Sequence, residues 1–205
     1  LSERSEAAFA AVGQPIELEL VDGNKLSDAL ARHSSASRVA VGGGDGTIAT
    51  AANAISRTNG ELAILPLDTR NHFAGQLGVP TDLAAAADLA AKGRARSVDL
   101  GRAGARAFVN NLSVGAYVEL VRERDRSLLP KLLATIPATW STLRKLRSRR
   151  FALTLDGEAG SVETPLLFVG NNRYEVSEGR LGERWALDDG LLSVYAVAPL
   201  SRMAL

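Results

Sequence analysis

The stretch Arg38-Val-Ala-Val-Gly-Gly-Gly-Asp-Gly-Thr-Ile-Ala-Thr-Ala-Ala-Asn-Ala-Ile55 decides the fold of this chain. A short apolar run ends at three consecutive glycines, and an alanine-rich segment follows a single carboxylate. This order predicts a strand, a tight loop and a helix. Glycines let backbone N–H groups come close to an oxyanion, and the amino end of the next helix favours negative charge. The stretch therefore predicts a binding site for phosphate groups.

Asp45 is the one carboxylate inside this glycine-rich turn. A carboxylate repels a bound phosphate unless a cation lies between them, so we interpret Asp45 as a contact for Mg²⁺ that accompanies a nucleoside triphosphate. The alternative is a turn that binds nothing, in which Asp45 caps the helix. The turn has neither the Lys-Ser/Thr pair of the P-loop nor the spaced glycines of the dinucleotide fingerprint.

Composition excludes several classes of protein. The 205 residues include 24 Lys+Arg and 23 Asp+Glu, and a net charge of +1 gives no field that attracts nucleic acid. The absence of cysteine excludes a disulfide framework and a thiolate nucleophile. No apolar run approaches the roughly 20 residues that cross a bilayer, and the first residues lack a signal-peptide pattern. We therefore expect a cytoplasmic protein without nucleic-acid partners.

The first half of the chain alternates between strand and helix patterns. This alternation predicts a doubly wound, mostly parallel sheet that binds ligands at the carboxyl ends of its strands. Residues 42–47 and 66–73 both follow such ends, which places two loops on one rim. Besides the opening stretch, we expect helices at 2–12, 26–32 and 81–92, the last with Thr81 as N-cap, and strands at 16–21 and 61–66.

The second half changes to short apolar strands that turns divide, which is typical of an antiparallel β domain. We place the boundary so that residues 1–95 form the α/β nucleotide-binding domain and residues 96–205 form an antiparallel β-sandwich. We expect its strands near 97–101, 106–111, 151–156, 164–170 and 191–197.

An amphipathic segment interrupts this β domain and predicts an inserted helix near 128–147, with helical character continuing to Arg150. Its apolar face has two interpretations: it packs on the β domain, or it contacts the anionic inner face of a membrane peripherally. The basic residues at its end are Arg144, Lys145, Arg147, Arg149 and Arg150.

We call residues 42–47 the glycine loop. A second loop follows it in the chain, Leu65-Pro-Leu-Asp-Thr-Arg-Asn-His-Phe-Ala74. Together the two loops resemble the diacylglycerol kinase catalytic-domain family, which includes bacterial lipid kinases and sphingosine kinases. The glycine loop is more distantly similar to those of NAD kinases and phosphofructokinases. Segments 108–115, 168–172 and 187–194 resemble the second domain of the diacylglycerol kinase family. The family's opening strand and closing Asp-Gly-Glu segment have no match, so we expect a chain truncated at both ends.

The resemblance implies an ATP site in the cleft between the two domains. Asn71 would hold the shape of the second loop, and His72 would either contact phosphate or pack that loop. A second, structural Mg²⁺ would take oxygens from Ala186, Asp189 and Leu191, although Asp188-Asp189-Gly190 also fits a turn before a strand. The implied contacts to the nucleotide and to its Mg²⁺, the latter through Asp45, are Gly43, Gly44, Asp45, Gly46, Thr47 and Thr69.

The implied activity is transfer of the ATP γ-phosphate, with Mg²⁺, to a hydroxyl of diacylglycerol or a related lipid. The general base of the family has no match, and we expect it beyond Leu205. Asp156-Gly157-Glu158 has the same letters but lies where the family has an ordinary β-turn. Two alternatives stay open: an NAD kinase-like enzyme, and a non-catalytic nucleotide- or lipid-binding protein that lacks the base.

One residue of the second loop departs from the family. Asp68 stands where the family has glycine, immediately before Thr69. A carboxylate near triphosphate lowers affinity unless it points away or holds a metal.

Overall fold

A computed structural model of the chain describes residues 2–69, 71–115, 148–175 and 183–196. The chain packs as two compact units, one of Leu1–Asn110 with Asn171–Leu192 and the other of Asn111–Gly170 with Ser193–Leu205. The first unit therefore receives a late segment of the chain. The domain boundary that we expect at residue 95 stays a prediction, and the packing divides the chain at other residues.

A parallel strand pair with helices forms the first unit. Strand β1 (Arg38–Gly43) pairs in parallel with β2 (Glu61–Pro66), from Arg38 opposite Glu61 to Gly43 opposite Pro66. Such a pair needs a crossover connection, which a helix between the strands supplies. The elements are helices α1 (Ser2–Ala11), α2 (Leu26–Arg32), α3 (Asp45–Ile55), α4 (His72–Gln76) and α5 (Leu83–Lys92), and strands β1 (Arg38–Gly43), β2 (Glu61–Pro66), β3 (Gly101–Ala103) and β4 (Arg106–Phe108).

Helices cover both faces of this strand pair. Leu62 and Ile64 of β2 belong to a core with α2 and α3, whereas Ala63 and Leu65 belong to a second core with α1 and α5. Successive side chains of a strand point to opposite faces, so one strand contributes to both cores. The predicted doubly wound arrangement is confirmed.

Two later strand pairs are antiparallel: β5 (Asn111–Gly115) with β8 (Leu166–Asn171), and β6 (Arg149–Leu155) with β7 (Glu158–Thr164). Strand β9 (Leu192–Ala196) joins β8, so the larger sheet has the order β5-β8-β9. The predicted fold class, an α/β part followed by an antiparallel β part, is therefore confirmed.

Two local predictions in the first unit are wrong. The strand expected at 16–21 is an irregular segment in which Leu20 is 79% exposed. In the described part of the chain β1 hydrogen-bonds only to β2, so this segment has alternating side chains but no partner strand. Thr81 is not the N-cap of α5, because Asp82 holds that position and its Oδ1 accepts the Ala85 N–H at 2.9 Å. A carboxylate also suits the positive helix end.

The antiparallel part also differs from prediction at its element ends. Arg149 and Arg150 do not continue a helix; they open β6, opposite Thr164 and Glu163. Pairing with the unpredicted strand β7 outweighs local helix propensity there. The expected strand at 97–101 starts only at Gly101. The helix predicted near 128–147 lies outside the described residues. Within the described ranges no helix is long and apolar enough to cross a bilayer.

Candidate functional site

The glycine loop and the second loop leave the same rim of the sheet. Gly43 ends β1 directly opposite Pro66, which ends β2. Gly44 is the N-cap residue of α3 and has extended backbone angles, φ −87° and ψ −179°. The helical ladder begins with the Ile48 N–H, which donates to the Gly44 carbonyl at 3.0 Å. The N–H groups before it belong to the first turn of α3 and have no intrahelical acceptor.

The glycines of this turn serve different purposes. A Cβ on Gly43, whose φ is +157°, would lie 2.8 Å from the Thr47 side chain. A Cβ on Gly46 would meet nothing within 4 Å. Glycine at residue 43 therefore allows the Thr47 side chain to lie close to the backbone of the loop. The open space beside Gly46 is where an anion could reach the first turn of α3.

Asp45 joins the two loops. Its carboxylate accepts the Phe73 N–H at 3.0 Å and the His72 N–H at 3.3 Å. Asp45 therefore caps α4, and not its own helix as the alternative proposed, since α3 has no side-chain cap. A carboxylate offers about four lone-pair sites, so these two hydrogen bonds leave capacity for a cation.

The second loop closes on itself through Asn71. The Asn71 side chain accepts the Asp68 N–H at 3.3 Å and donates to the Asp68 carbonyl at 2.5 Å. Thr69 is exposed, and its N–H donates to Asp68 Oδ1 at 2.7 Å. His72 is also exposed, and its hydrogen bond to Asp45 is donated by its backbone N–H. The two hydrogen bonds of the Asn71 side chain thus link both ends of the turn from Asp68 to Asn71.

The Asp68 carboxylate does not point away from the glycine loop. Its Oδ2 lies 2.2 Å from the position that a Cβ of Gly44 would occupy. The extended backbone at residue 44 would admit any residue, so conformation does not require glycine there. Glycine is needed because a Cβ would collide with Asp68 Oδ2. The departure from the family pattern therefore lies directly beside the predicted phosphate contacts.

Arg184 is a half-buried anchor that sequence reasoning missed. Its guanidinium donates to the Gln76 side chain at 2.9 Å, to the Val109 carbonyl at 2.6 Å, to the Asn110 side chain at 2.9 Å and to the Asn171 carbonyl at 3.1 Å. It also lies over the Phe73 ring, 5.7 Å from the centroid. These contacts hold α4 in place. No local pattern could have indicated this, since Gln76 and Arg184 are 108 residues apart.

The charge of Arg184 also acts on the rim. Burial lowers the pKa of the Arg184 guanidinium, whereas the nearby Tyr174 and Asp45 raise it. The group still carries a positive charge at neutral pH. Arg184 therefore supports the Asp45 carboxylate electrostatically, while its donors are used by protein acceptors and not by a ligand.

The stretch 186–191 contacts Asp99 and Asn172. The Gly190 N–H donates to Asp99 Oδ2 at 2.6 Å, and the Asn172 N–H donates to the Leu191 carbonyl at 2.8 Å. Asp189 is exposed. Hard oxygens from Ala186, Asp189 and Leu191 suit Mg²⁺ chemically, but three fall short of the roughly six that it takes, so water would complete the set. The described ranges contain no cluster of three or more His, Cys, Asp or Glu that could hold a metal.

A cavity of about 620 Å³ lies elsewhere in the first unit. Its lining includes Arg38 and Glu61, the first residues of β1 and β2, and apolar side chains of α3 and α5. None of the predicted site residues lines it. The predicted nucleotide contacts lie instead on the rim at the carboxyl ends of β1 and β2, and this rim is the candidate site.

The fold and this rim define the class: a doubly wound α/β part with a glycine-rich loop before a helix, joined to antiparallel β sheets. The family model of the diacylglycerol kinase catalytic domain matches residues 2–103, about half of the 205 residues. The chain belongs to the diacylglycerol kinase catalytic-domain family.

Two curated relatives illustrate the match. A Pseudomonas aeruginosa PAO1 protein named "Probable lipid kinase YegS-like" is 35% identical over 161 residues, which are 75% of this chain and 52% of the relative. A Staphylococcus aureus JH9 protein named "Diacylglycerol kinase" is 26% identical over 172 residues, 82% of this chain and 54% of the relative. The chain thus spans about half the length of the curated relatives it matches.

A solved structure shows the same fold over most of the chain. The crystal structure of a diacylglycerol kinase from Bacillus anthracis str. Sterne has a TM-score of 0.67 and 27% identity. The match covers 94% of this chain and 66% of that one.

Proposed function

We propose that this chain binds ATP with Mg²⁺ on the rim formed by the glycine loop and the second loop. We further propose that it transfers the γ-phosphate to a hydroxyl of diacylglycerol or a related lipid. One observation carries the proposal: the Asp45 carboxylate holds the amino end of α4 against the glycine loop. This contact places the free N–H groups of α3 and the second loop side by side.

Each rim residue has a role in this proposal. Gly46, where a Cβ would meet nothing within 4 Å, leaves room for the phosphates at the first turn of α3, whose N–H groups and dipole stabilise their charge, while Gly43 and Gly44 contribute backbone contacts. Thr47 and Thr69 add hydrogen-bond donors. Asp45 would hold Mg²⁺, which would supply the positive charge that neutralises the phosphates. Because phosphoryl transfer depends mainly on positioning and charge, such a rim supplies most of what the reaction needs.

The acceptor is proposed from the family. The relatives are named lipid kinase and diacylglycerol kinase, and their names refer to those proteins. No described residue of this chain is proposed as the base that takes the proton of the acceptor hydroxyl. Asp156 and Gly157 form the β6–β7 hairpin turn, with φ 52° and 88°, so Asp156 there is a turn residue.

A second Mg²⁺ is proposed at Ala186, Asp189 and Leu191 as a structural ion. Asp99 lies next to this stretch through its hydrogen bond to Gly190 and is the carboxylate that the sequence did not point to. An ion there would fix the chain between Leu187 and β9. Loss of thermal stability in EDTA, absent in an Asp189→Asn variant, is the expected sign of this ion.

The proposed activity is tested with the full-length protein, γ-³²P-labelled ATP and a panel of diacylglycerol, related lipids and NAD. We expect Mg²⁺-dependent label in a lipid. Asp45→Asn should reduce the transfer strongly, since it removes the charge that holds the cation but keeps an acceptor for one α4 amide. Asp28→Asn, in the first turn of α2, makes the same charge change away from the rim and should leave the transfer unchanged.

The other outcomes separate the alternatives. Tight ATP binding without any transfer would support a non-catalytic nucleotide-binding protein. Label in NAD and not in lipid would remove the lipid acceptor and favour an NAD kinase-like enzyme. Equal activity of wild type and Asp45→Asn would remove the assigned role of Asp45.

A further inference from the structure

Asp68 differs from the other second-loop residues because its carboxylate lies against the glycine loop. Its Oδ2 is 2.2 Å from the position of a Gly44 Cβ, so it occupies the space that glycine leaves open. Gly44 is the N-cap residue of the 11-residue helix α3. A negative side chain is therefore already present beside the helix end that we assign to phosphate.

The same carboxylate also uses the donors of Thr69. Asp68 Oδ1 accepts the Thr69 N–H at 2.7 Å and lies 3.4 Å from the Thr69 hydroxyl. Thr69 is the second-loop residue with an assigned nucleotide contact. One side chain thus meets both loops of the rim at groups that the phosphates would use.

We propose that Asp68 is an internal anion of the nucleotide site and makes ATP binding by this chain depend on a divalent cation. This inference rests on the proposed function, because it needs triphosphate beside Gly44. A metal-free triphosphate brings negative charge to a carboxylate that already lies there. One unit-charge repulsion at about 4 Å in water corresponds to an affinity loss of about fivefold. A divalent ion on the phosphates removes most of this repulsion.

The geometry favours an opposing anion over a metal ligand. Oδ1 accepts the Thr69 N–H, and Oδ2 lies in the space that a Gly44 side chain would occupy. A carboxylate in this position acts mainly through its charge.

The test measures the dissociation constant of ATP by titration calorimetry on the full-length protein, in excess Mg²⁺ and in EDTA. The variants are Asp68→Asn, which keeps the size and an acceptor oxygen, and Asp68→Gly. Asp68 is exposed, so neither variant removes a core contact. We expect both to tighten ATP binding in EDTA about fivefold and to change it in Mg²⁺ by less than about twofold. Asp28→Asn, the charge-matched control, should change neither constant.

Each remaining outcome overturns the proposal in a distinguishable way. If Asp68→Asn weakens binding in Mg²⁺, the carboxylate is a metal ligand and not an opposing anion. If the ratio of the two constants equals that of the wild type, Asp68 has no such role, while the nucleotide site stands. If wild type and both variants fail to bind ATP in Mg²⁺, the proposed function and the role of Asp68 fall together.

Discussion

Single carboxylates determine much of the rim because each one accepts several hydrogen bonds at once. Asp45 and Asp82 make a matched pair: both cap a helix, but Asp45 caps α4 from 27 and 28 residues away, whereas Asp82 caps its own helix α5. The first contact is therefore tertiary and the second is local. Only the tertiary contact connects two loops of the candidate site.

This difference gives a prediction for Asp45→Ala and Asp82→Ala. Each should lower the free energy of unfolding by about 1 kcal/mol, the usual cost of a lost cap, as measured by urea denaturation. Only Asp45→Ala should accelerate amide hydrogen exchange at His72 and Phe73 and weaken ATP binding. Equal ATP affinity of the two variants would contradict the linking role of Asp45.

Gly44 gives a second prediction at this scale. An alanine there would place its Cβ 2.2 Å from Asp68 Oδ2, so Asp68 must move, and the expected loss of stability is about 1 kcal/mol. Asp68→Gly in the same chain should abolish most of this loss, which a double-mutant cycle measures. Gly46→Ala is the control, since a Cβ there meets nothing within 4 Å. Additive effects of Gly44→Ala and Asp68→Gly would show that a side chain at residue 44 does not clash with Asp68.

At the scale of elements, the short helix α4 depends on contacts from distant parts of the chain. Asp45 caps it, and Arg184 donates to Gln76 in it. A helix of five residues is too short to be stable alone, so tertiary contacts must hold it. The position of the second loop therefore follows from residues far from it in sequence.

Arg184→Lys tests this dependence. Lysine keeps the charge but has a single ammonium that cannot reproduce the planar set of donors, and it leaves the buried Val109 carbonyl without its arginine partner. We expect a loss of about 2 kcal/mol in the free energy of unfolding and faster exchange in α4. Arg102→Lys, which loses one exposed hydrogen bond to Ser56 at 3.3 Å, is the control and should stay within about 0.5 kcal/mol. Wild-type exchange rates in α4 of Arg184→Lys would refute the anchoring role.

The elements that sequence alone predicts are those whose signals are local. Alternation, helical periodicity and the glycine turn predict the types of β1, α3 and β2 correctly, and the order of these elements places the two loops on one rim. The segment at 16–21 shows the limit, because its alternation cannot reveal whether a neighbouring strand exists. The hydrogen bonds of Asp45 and Arg184 were not predictable, since each joins residues whose proximity only the folded chain creates.

At the scale of the whole molecule, the charges nearly cancel. With 24 Lys+Arg and 23 Asp+Glu, any attraction to an anionic membrane must come from a local cluster and not from net charge. Arg149 and Arg150 lie in β6 and are exposed, so they belong to a hairpin and not to the predicted basic helix end. The cluster that stays a candidate is Arg144, Lys145 and Arg147, outside the described residues.

This division of the basic residues gives a matched membrane experiment. The affinity of the full-length protein for vesicles containing phosphatidylserine, measured by co-sedimentation, should fall about 100-fold when Arg144, Lys145 and Arg147 become Glu. Each basic residue near an anionic surface contributes about 1 kcal/mol. The charge reversal of Arg149 and Arg150 should have a much smaller effect, because their strand pairs with β7. Binding should also weaken as salt rises, since screening shortens the reach of the charges. If the first set binds as the wild type does, or if both sets lose affinity equally, the segment near 128–147 does not dock on the membrane, and packing on the β domain becomes its preferred role.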